Sequence, residues 1–517
     1  MSMMNFINRL QSRMLEEGNV SVTENGAVGY RTTGTALVDM NFAVSSMRSM
    51  EEEQIINRFI KAFYEDKRLA VKWLFFASDV RGGMGERRLF RILMHYLAQS
   101  HTEIAEAVLQ LIPEYSRWDN LWCLLDTSLE GQVITLVKAQ LEEDIANMQE
   151  NRPVSLLAKW MPSVNASGRE TRAWAQQLRQ GLGMNNAEYR KLLSRLRAYL
   201  QVVEVDMSKA EWGNIDYERV PSRANLIYRN AFYRHDEERR RAYLESLQKG
   251  EATIHSGVLF PQDIVRGYYE GIGWNSHLKS DADITLEELW KGLPDYVQGD
   301  AKTLCVVDGS GSMRTSVGNT MVRCLDVANA LAIYFSERCC AQLQNKYITF
   351  SMHPQLVDLS KAKNLREKLE ISAAYHEVAN TNVEAVFDLL LQTAVAGRMK
   401  QEELPENILV LSDMEFDGCM VEANGSRIQS KRLFTEIAQK YARYGYKLPR
   451  LVFWNIASRT GTIPMRENEL GVALVSGFSP TVMKMVLSGS MDSYTCLVET
   501  LGDSRYDAVE AALENVI

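Results

Sequence analysis

The sequence predicts a multidomain chain, with an all-α N-terminal array of stacked helix pairs followed by a C-terminal α/β domain built on a doubly wound, mainly parallel sheet. Three observations carry this. The 517 residues exceed what one hydrophobic core normally serves, so at least two domains are expected. Before residue 290 apolar residues recur at helical spacing, loops are brief and strand-like text is scarce. From Thr303 onward short apolar runs alternate with helical patterns, which calls for right-handed crossovers between parallel strands.

In chain order, residues 1–50 are a wrapping segment. Thr23-Glu24-Asn25-Gly26-Ala27 and Thr32-Thr33-Gly34-Thr35 are turn-rich text before the first strong helix. Residues 51–295 form the helical domain. Ile55, Phe59, Ile60 and Phe63 mark one helix, and Leu69, Val71, Trp73, Leu74 and Phe76 the next. Helices follow over 89–98, 103–111, 118–125, 133–148 and 155–160, with a long run over 172–203. Such stacked pairs form a HEAT-type α-solenoid, an array whose curvature can close it into a ring. The acidic and then turn-rich stretch from Asp281 to Asp300 marks the boundary. Residues 300–490 hold the α/β domain, with strands at 303–308, 347–351, 355–359, one ending at Asp413, 451–456 and 472–476, and a helix over 482–487. Residues 491–517 are a helical tail that packs back on the first domain.

The first strand carries the chemistry. Thr303-Leu304-Cys305-Val306-Val307-Asp308 reads as a buried parallel strand, and Gly309-Ser310-Gly311-Ser312 as the loop after it. Asp308, Ser310 and Ser312 place one carboxylate and two hydroxyls beyond the strand's carboxyl end, where open α/β sheets bind ligands. Hard oxygen donors suit Mg²⁺ or Mn²⁺, or another divalent cation of that kind, at about 2.0–2.2 Å. Two further ligand loops are expected downstream. They are Asn380-Thr381-Asn382, which precedes a helical pattern, and Ile408-Leu409-Val410-Leu411-Ser412-Asp413, a second buried strand ending in a carboxylate.

The set Asp308, Ser310, Ser312, Thr381 and Asp413 resembles the metal-ion-dependent adhesion site (MIDAS) of a von Willebrand factor type A domain. A Gly often follows the last Asp in such domains, whereas here Met414-Glu415-Phe416-Asp417 follows, bringing extra carboxylates near the site. Over nearly the whole chain, Leu157-Ala-Lys-Trp-Met-Pro-Ser, Arg219-Val-Pro-Ser-Arg, His235-Asp-Glu-Glu-Arg, Ser412-Asp-Met-Glu-Phe-Asp, Val452-Phe-Trp-Asn and Val472-Ala-Leu-Val-Ser-Gly-Phe-Ser resemble the domain-of-unknown-function 2828 family. Helical repeats followed by an A domain are similar in layout to the Ro autoantigen (TROVE) family. There a helical ring closed by the A domain binds single-stranded ends of misfolded RNA and small structured RNAs.

The residues allow that function. Arg81-Gly82-Gly83-Met84-Gly85-Glu86-Arg87-Arg88 is either a cationic turn able to hold a phosphate or a structural turn whose glycines cap helices. Between 151 and 200 nine Lys or Arg face two acids, although the whole chain carries a net charge of −8. That stretch is either a basic binding face or the solvated side of ordinary helices. Aromatics interleaved with guanidiniums, from Trp212 to Arg234, suit stacking on unpaired bases but equally suit helix packing. The candidate RNA contacts are Arg81, Arg87, Arg88, Lys159, Trp160, Arg169, Arg172, Arg179, Arg219 and Arg223.

Other classes find less support. No apolar run reaches the roughly 18 residues of a membrane span, and no signal-peptide core opens the chain. Seven cysteines without a Cys-x-x-Cys pair suit reduced thiols and a cytoplasmic location. Ser310 lacks the flanking glycines of a nucleophile elbow, and the loop lacks the Gly-Lys-Ser/Thr of a phosphate loop. Five oxygen ligands without a visible general base leave a metal-dependent phosphohydrolase as the weakest reading, so a non-enzymatic protein with no small-molecule substrate is expected. The leading expectation is a Ro-like RNA-binding protein. The alternative is an interaction scaffold whose metal captures an acidic residue of a protein partner.

Overall fold

The computed structural model describes residues 18–24, 28–297, 301–318, 320–350, 354–375, 383–416, 430–464, 472–482 and 492–517. Two compact units emerge. One comprises residues 1–51 and 259–500, the other 52–258 and 501–517. The sheet-bearing unit thus extends further toward the N-terminus than the acidic stretch at Asp281–Asp300 suggests. The reason is packing: the helix Pro261–Arg266 lies on the helix Cys324–Arg338, and Ile284–Lys291 contacts Leu365–Ala374. Glu287 fastens that second contact by accepting the amides of Leu365 at 2.8 Å and Arg366 at 3.1 Å.

The sheet unit opens with a short antiparallel ribbon, β1 (Val20–Val22) and β2 (Val28–Tyr30). Two helices follow, Ala36–Phe42 and Val44–Met47, and nearly all their side chains are buried. The threonine-rich text around residues 32–35 reads as turn, yet it serves to start this helical pair. Asp39 accepts the Thr33 amide at 2.7 Å and its hydroxyl at 2.8 Å, folding the turn onto the helix. A second ribbon pairs β3 (Tyr269–Glu270) with β4 (His277–Leu278).

The main sheet has β5 (Thr303–Asp308), β6 (Lys346–Phe350), β7 (Leu356–Asp358), β8 (Asn407–Ser412), β9 (Arg450–Asn455) and β10 (Ala473–Ser476). Their order is β10-β9-β8-β5-β6-β7, parallel throughout except for the antiparallel edge strand β7. The strands are apolar on both faces because both faces are covered. Leu304, Val306, Ile408, Val410, Leu451 and Phe453 share one buried cluster with Val386, Phe387 and Tyr441 from the helices Val383–Ala396 and Ser430–Arg443. The alternate residues face the other way, where the Trp454 and Phe335 rings lie 5.6 Å apart. The helix bearing Phe335 is buried all round from Cys324 to Ser336, as expected for one enclosed by its neighbours.

Among the described residues of the other unit, every regular element is a helix. The run read as one long helix over 172–203 is two, Arg169–Gly181 and Asn186–Tyr199. Gly183 takes φ +68° between them, and a capping box of Asn185 and Glu188 starts the second. The stretch over 118–125 is a 3₁₀ segment, Trp118–Leu124. At the C-terminus, Asp507–Leu513 packs on the helices Lys67–Ser78 and Thr102–Val108. Tyr506 stacks on Tyr115 at 5.7 Å, and Arg505 forms an ion pair with the buried Asp79. The helix expected over 482–487 lies almost wholly outside the described residues.

Leu409 is fully buried in the middle of β8. Leu409→Ala should lower the unfolding free energy by about 2–5 kcal/mol in urea titrations, the cost of a cavity in a packed core. A change near zero would contradict the packing described.

Candidate functional site

Strand order reverses between β5 and β8, the position where doubly wound sheets open a crevice at their carboxyl edge. Register across that pair runs from Thr303 opposite Asn407 to Val307 opposite Leu411, so Asp308 and Ser412-Asp413 leave the sheet side by side. Both carboxylates are buried. Asp308 accepts the Ser310 amide at 2.9 Å and the Ser412 hydroxyl at 2.6 Å. The Ser310 and Ser312 hydroxyls lie 2.9 Å apart, and Ser312 also bonds Asp413. Four of the five sequence-predicted ligands, Asp308, Ser310, Ser312 and Asp413, therefore meet at one rim. Thr381 lies outside the described residues.

Burial and the neighbouring Asp413 charge push the Asp308 carboxyl from 3.8 up to about 7. Asp413 is also held above the usual carboxylate range by burial, against the opposing pull of Arg459. Burial, with the Asp413 charge beside it, lifts the Cys324 thiol to about 12, which keeps it protonated. Arg459 enters from the loop after β9. It places Nη1 3.2 Å from Asp413 Oδ2 and Nε 2.7 Å from Glu24 Oε2.

Glu415, one of the extra carboxylates that follow Asp413, turns toward this loop. Its Oε1 accepts the amides of Arg459 at 2.7 Å and Thr460 at 2.9 Å, and its Oε2 accepts the Glu24 amide at 2.9 Å. Its role is to anchor backbone. Among the described residues no group of three or more His, Cys, Asp and Glu side chains is placed to hold a metal ion. What the rim offers is two carboxylates and two hydroxyls, an all-oxygen donor set suited to a hard divalent cation.

The cations of the helical unit divide. The amides of Gly83, Met84, Gly85 and Glu86 all bond backbone carbonyls of Phe76, Ala77 and Asp79, so this turn is structural. A Cβ on Gly83 would lie 1.9 Å from the Phe76 carbonyl oxygen, which admits only glycine there. Arg81 and Arg88 are exposed beside it. Arg169 is exposed at the start of its helix. Arg172 bonds the carbonyls of Ala166 and Ser167, Arg179 that of Met184, and Arg219 pairs with Asp216 at 3.3 Å.

Arg87, by contrast, belongs to a cluster. Arg87, Arg91 and Arg117 all approach Asp119, the first two at 3.6 and 2.9 Å. Three guanidiniums on one carboxylate leave two positive charges that it does not offset. Burial and the charges of Arg117, Arg91 and Arg223 lower Arg87 to about 10, with Asp119 opposing. Arg117 also lies 3.6 Å over the Trp160 ring, and Lys159 Nζ is 5.6 Å from it. Arg197 clamps that turn by donating to the carbonyls of Ala158 at 2.8 Å and Met161 at 2.7 Å.

Four of the ten sequence candidates, Arg87, Lys159, Trp160 and Arg223, thus belong to one cation-rich region. Arg91 and Arg117 complete it. Arg91 was readable as the i+4 neighbour of Arg87 on one helix face. Nothing local marks Arg117.

The raised carboxyls have a consequence for stability. Between about pH 4 and 7 the folded chain keeps a proton that the unfolded chain has released, so stability from this group falls as pH rises through that window. In a metal chelator, Asp308→Asn should therefore raise the melting temperature by several degrees at pH 8 and by distinctly less at pH 5. Equal shifts at the two pH values would contradict the burial of like charges.

Among the described residues no helix is long and apolar enough to cross a membrane. The chain is 29% identical over 510 residues to uncharacterized protein L728 of Acanthamoeba polyphaga mimivirus, covering 91% of this chain and 85% of the relative. Residues 302–511 match the family described as domain of unknown function DUF7788, the segment holding Asp308, Asp413 and Arg459. Residues 182–299 match the family described as domain of unknown function DUF2828, and the motifs at Arg219–Arg223 and His235–Arg239 fall inside that match. The DUF2828 resemblance is thus shown over residues 182–299, whereas the motifs beginning at Leu157, Ser412, Val452 and Val472 lie outside that match, the last three within the DUF7788 segment.

Proposed function

We propose that this is a Ro-like RNA-binding protein: a HEAT-like helical array holds phosphates and unpaired bases, and an A-type α/β domain carries a divalent-cation site. The observation that carries the reading is the convergence of Arg87, Arg91 and Arg117 on the single carboxylate of Asp119, beside Lys159 and Trp160. Guanidiniums hold phosphate oxygens in a planar fork, and an indole stacks on any base, so the group suits single strands without demanding a sequence. Arg197 fixes the backbone on either side of Trp160 by bonding the carbonyls of Ala158 and Met161.

In the α/β domain, Asp308, Asp413, Ser310 and Ser312 would hold Mg²⁺ or Mn²⁺, with Thr381 as the fifth donor. A bound ion would supply charge neutralisation and an open position for a carboxylate or phosphate oxygen. A second reading, an interaction scaffold that captures an acidic side chain of a protein partner at that ion, is favoured by the buried carboxylate pair at the strand-order reversal. Both readings concern binding, and neither needs a catalytic base.

Fluorescence anisotropy with a labelled single-stranded oligoribonucleotide separates them. Affinity should fall steeply with salt, the logarithmic slope shrinking by about 0.7 for each phosphate contact removed. The triple substitution Arg87→Glu, Lys159→Glu and Arg223→Glu should weaken binding at least about tenfold, since each reversed charge repels the strand. Asp308→Ala should leave RNA affinity nearly unchanged. Unaltered RNA affinity in the triple variant, or no salt-sensitive affinity in the unaltered protein, contradicts the RNA reading. Mg²⁺-dependent binding of an acidic peptide, lost in Asp308→Ala, is the result the scaffold reading requires.

A further inference from the structure

In the sheet unit Arg459 brings its guanidinium to Asp413, and its surroundings are built to present it. The backbone on either side is fixed: the Arg459 and Thr460 amides and the Ser458 hydroxyl, the last at 3.2 Å, all donate to Glu415 Oε1. Glu415 is only 2% exposed and also holds the Glu24 amide, so two segments distant in sequence are tied to one buried acid. The guanidinium itself is left with a choice of partner. One side meets Asp413, which is fully buried, and the other meets Glu24, whose side chain is 48% exposed. The Arg459 side chain is 33% exposed, enough to move outward without opening the core.

Among the described residues the Asp308 and Asp413 carboxylates lie at this rim, and the Arg459 guanidinium reaches Asp413. A cation that binds both would be held more strongly than Arg459, but it must first share Asp413 with a charge of its own sign. We infer that Arg459 is a built-in counter-cation: it neutralises Asp413 when no divalent ion is present, competes with the ion for that oxygen, and retreats onto Glu24 when the ion enters. This rests on the divalent-site reading proposed above. It assigns opposite effects to the two residues that hold the guanidinium. Removing the charge of Arg459 tightens ion binding. Removing the charge of Glu24 leaves Arg459 with Asp413 alone and weakens it.

The test uses the full-length chain, stripped with chelator and titrated with Mn²⁺, with free Mn²⁺ read from its electron paramagnetic resonance signal and folding checked by circular dichroism. Arg459→Gln should bind Mn²⁺ roughly tenfold tighter than the unaltered protein, and Glu24→Gln roughly threefold weaker, the scale of one partly screened charge nearby. Asp413→Asn should abolish binding. If Arg459→Gln melts early, Glu24→Gln carries the test, because it keeps every backbone contact of the rim. Equal affinities in the unaltered protein, Arg459→Gln and Glu24→Gln, all lost in Asp413→Asn, overturn the counter-cation while leaving the divalent site standing. Absence of Mn²⁺ binding in both the unaltered protein and Arg459→Gln overturns the two together.

Discussion

Two like charges held out of water at the shared end of β5 and β8 constrain the rest of the sheet unit. Sheet pairing forces Asp308 and Asp413 together, and burial denies them solvent, so the chain must supply compensation from elsewhere. It does so in layers. Ser412, Ser310 and Ser312 donate hydrogen bonds, a proton is retained near neutral pH, and Arg459 brings a positive charge to Asp413. Delivering Arg459 requires a further buried acid, Glu415, whose amide contacts shape the loop after β9. The same acid receives the Glu24 amide, so the N-terminal segment is part of the rim.

A comparable economy of charge operates in the helical unit, with the signs reversed. There three guanidiniums converge on the Asp119 carboxylate, which keeps Arg87, Arg91 and Arg117 close at less than full neutralisation. Cations forced together in this way favour an incoming anion, because binding one relieves their mutual repulsion. Arg197 shows why a count of basic residues overstates such a surface. It belongs to the basic stretch of residues 151–200, yet its guanidinium is spent on backbone carbonyls.

Much of the α/β unit was legible in the text. A parallel strand covered on both faces is apolar at every position, so β5 and β8 announce themselves as short runs, each closed by a carboxylate. Those runs predict the meeting of Asp308 and Asp413. Local text read the turn at residues 32–35 correctly but missed the buried helical pair that follows it. It misled after Gly181, where one glycine and a capping box divide a continuous helical pattern. Glu415 was visible as a departure from pattern, but its direction depends on amides 44 and 45 residues further on. Arg459 carries no local mark at all, because what defines it is its reach to Asp413 across 46 residues. Side chains that matter through distant partners are those a linear reading misses.

The rim formed by β5 and β8 is proposed above to hold a hard divalent cation. Anomalous diffraction from a crystal grown with Mn²⁺ tests it most directly. One strong peak is expected at about 2.0–2.2 Å from oxygens of Ser310 and Ser312, with the Arg459 guanidinium drawn toward Glu24. A crystal with no peak at that rim, and Arg459 still on Asp413 at saturating Mn²⁺, would contradict it.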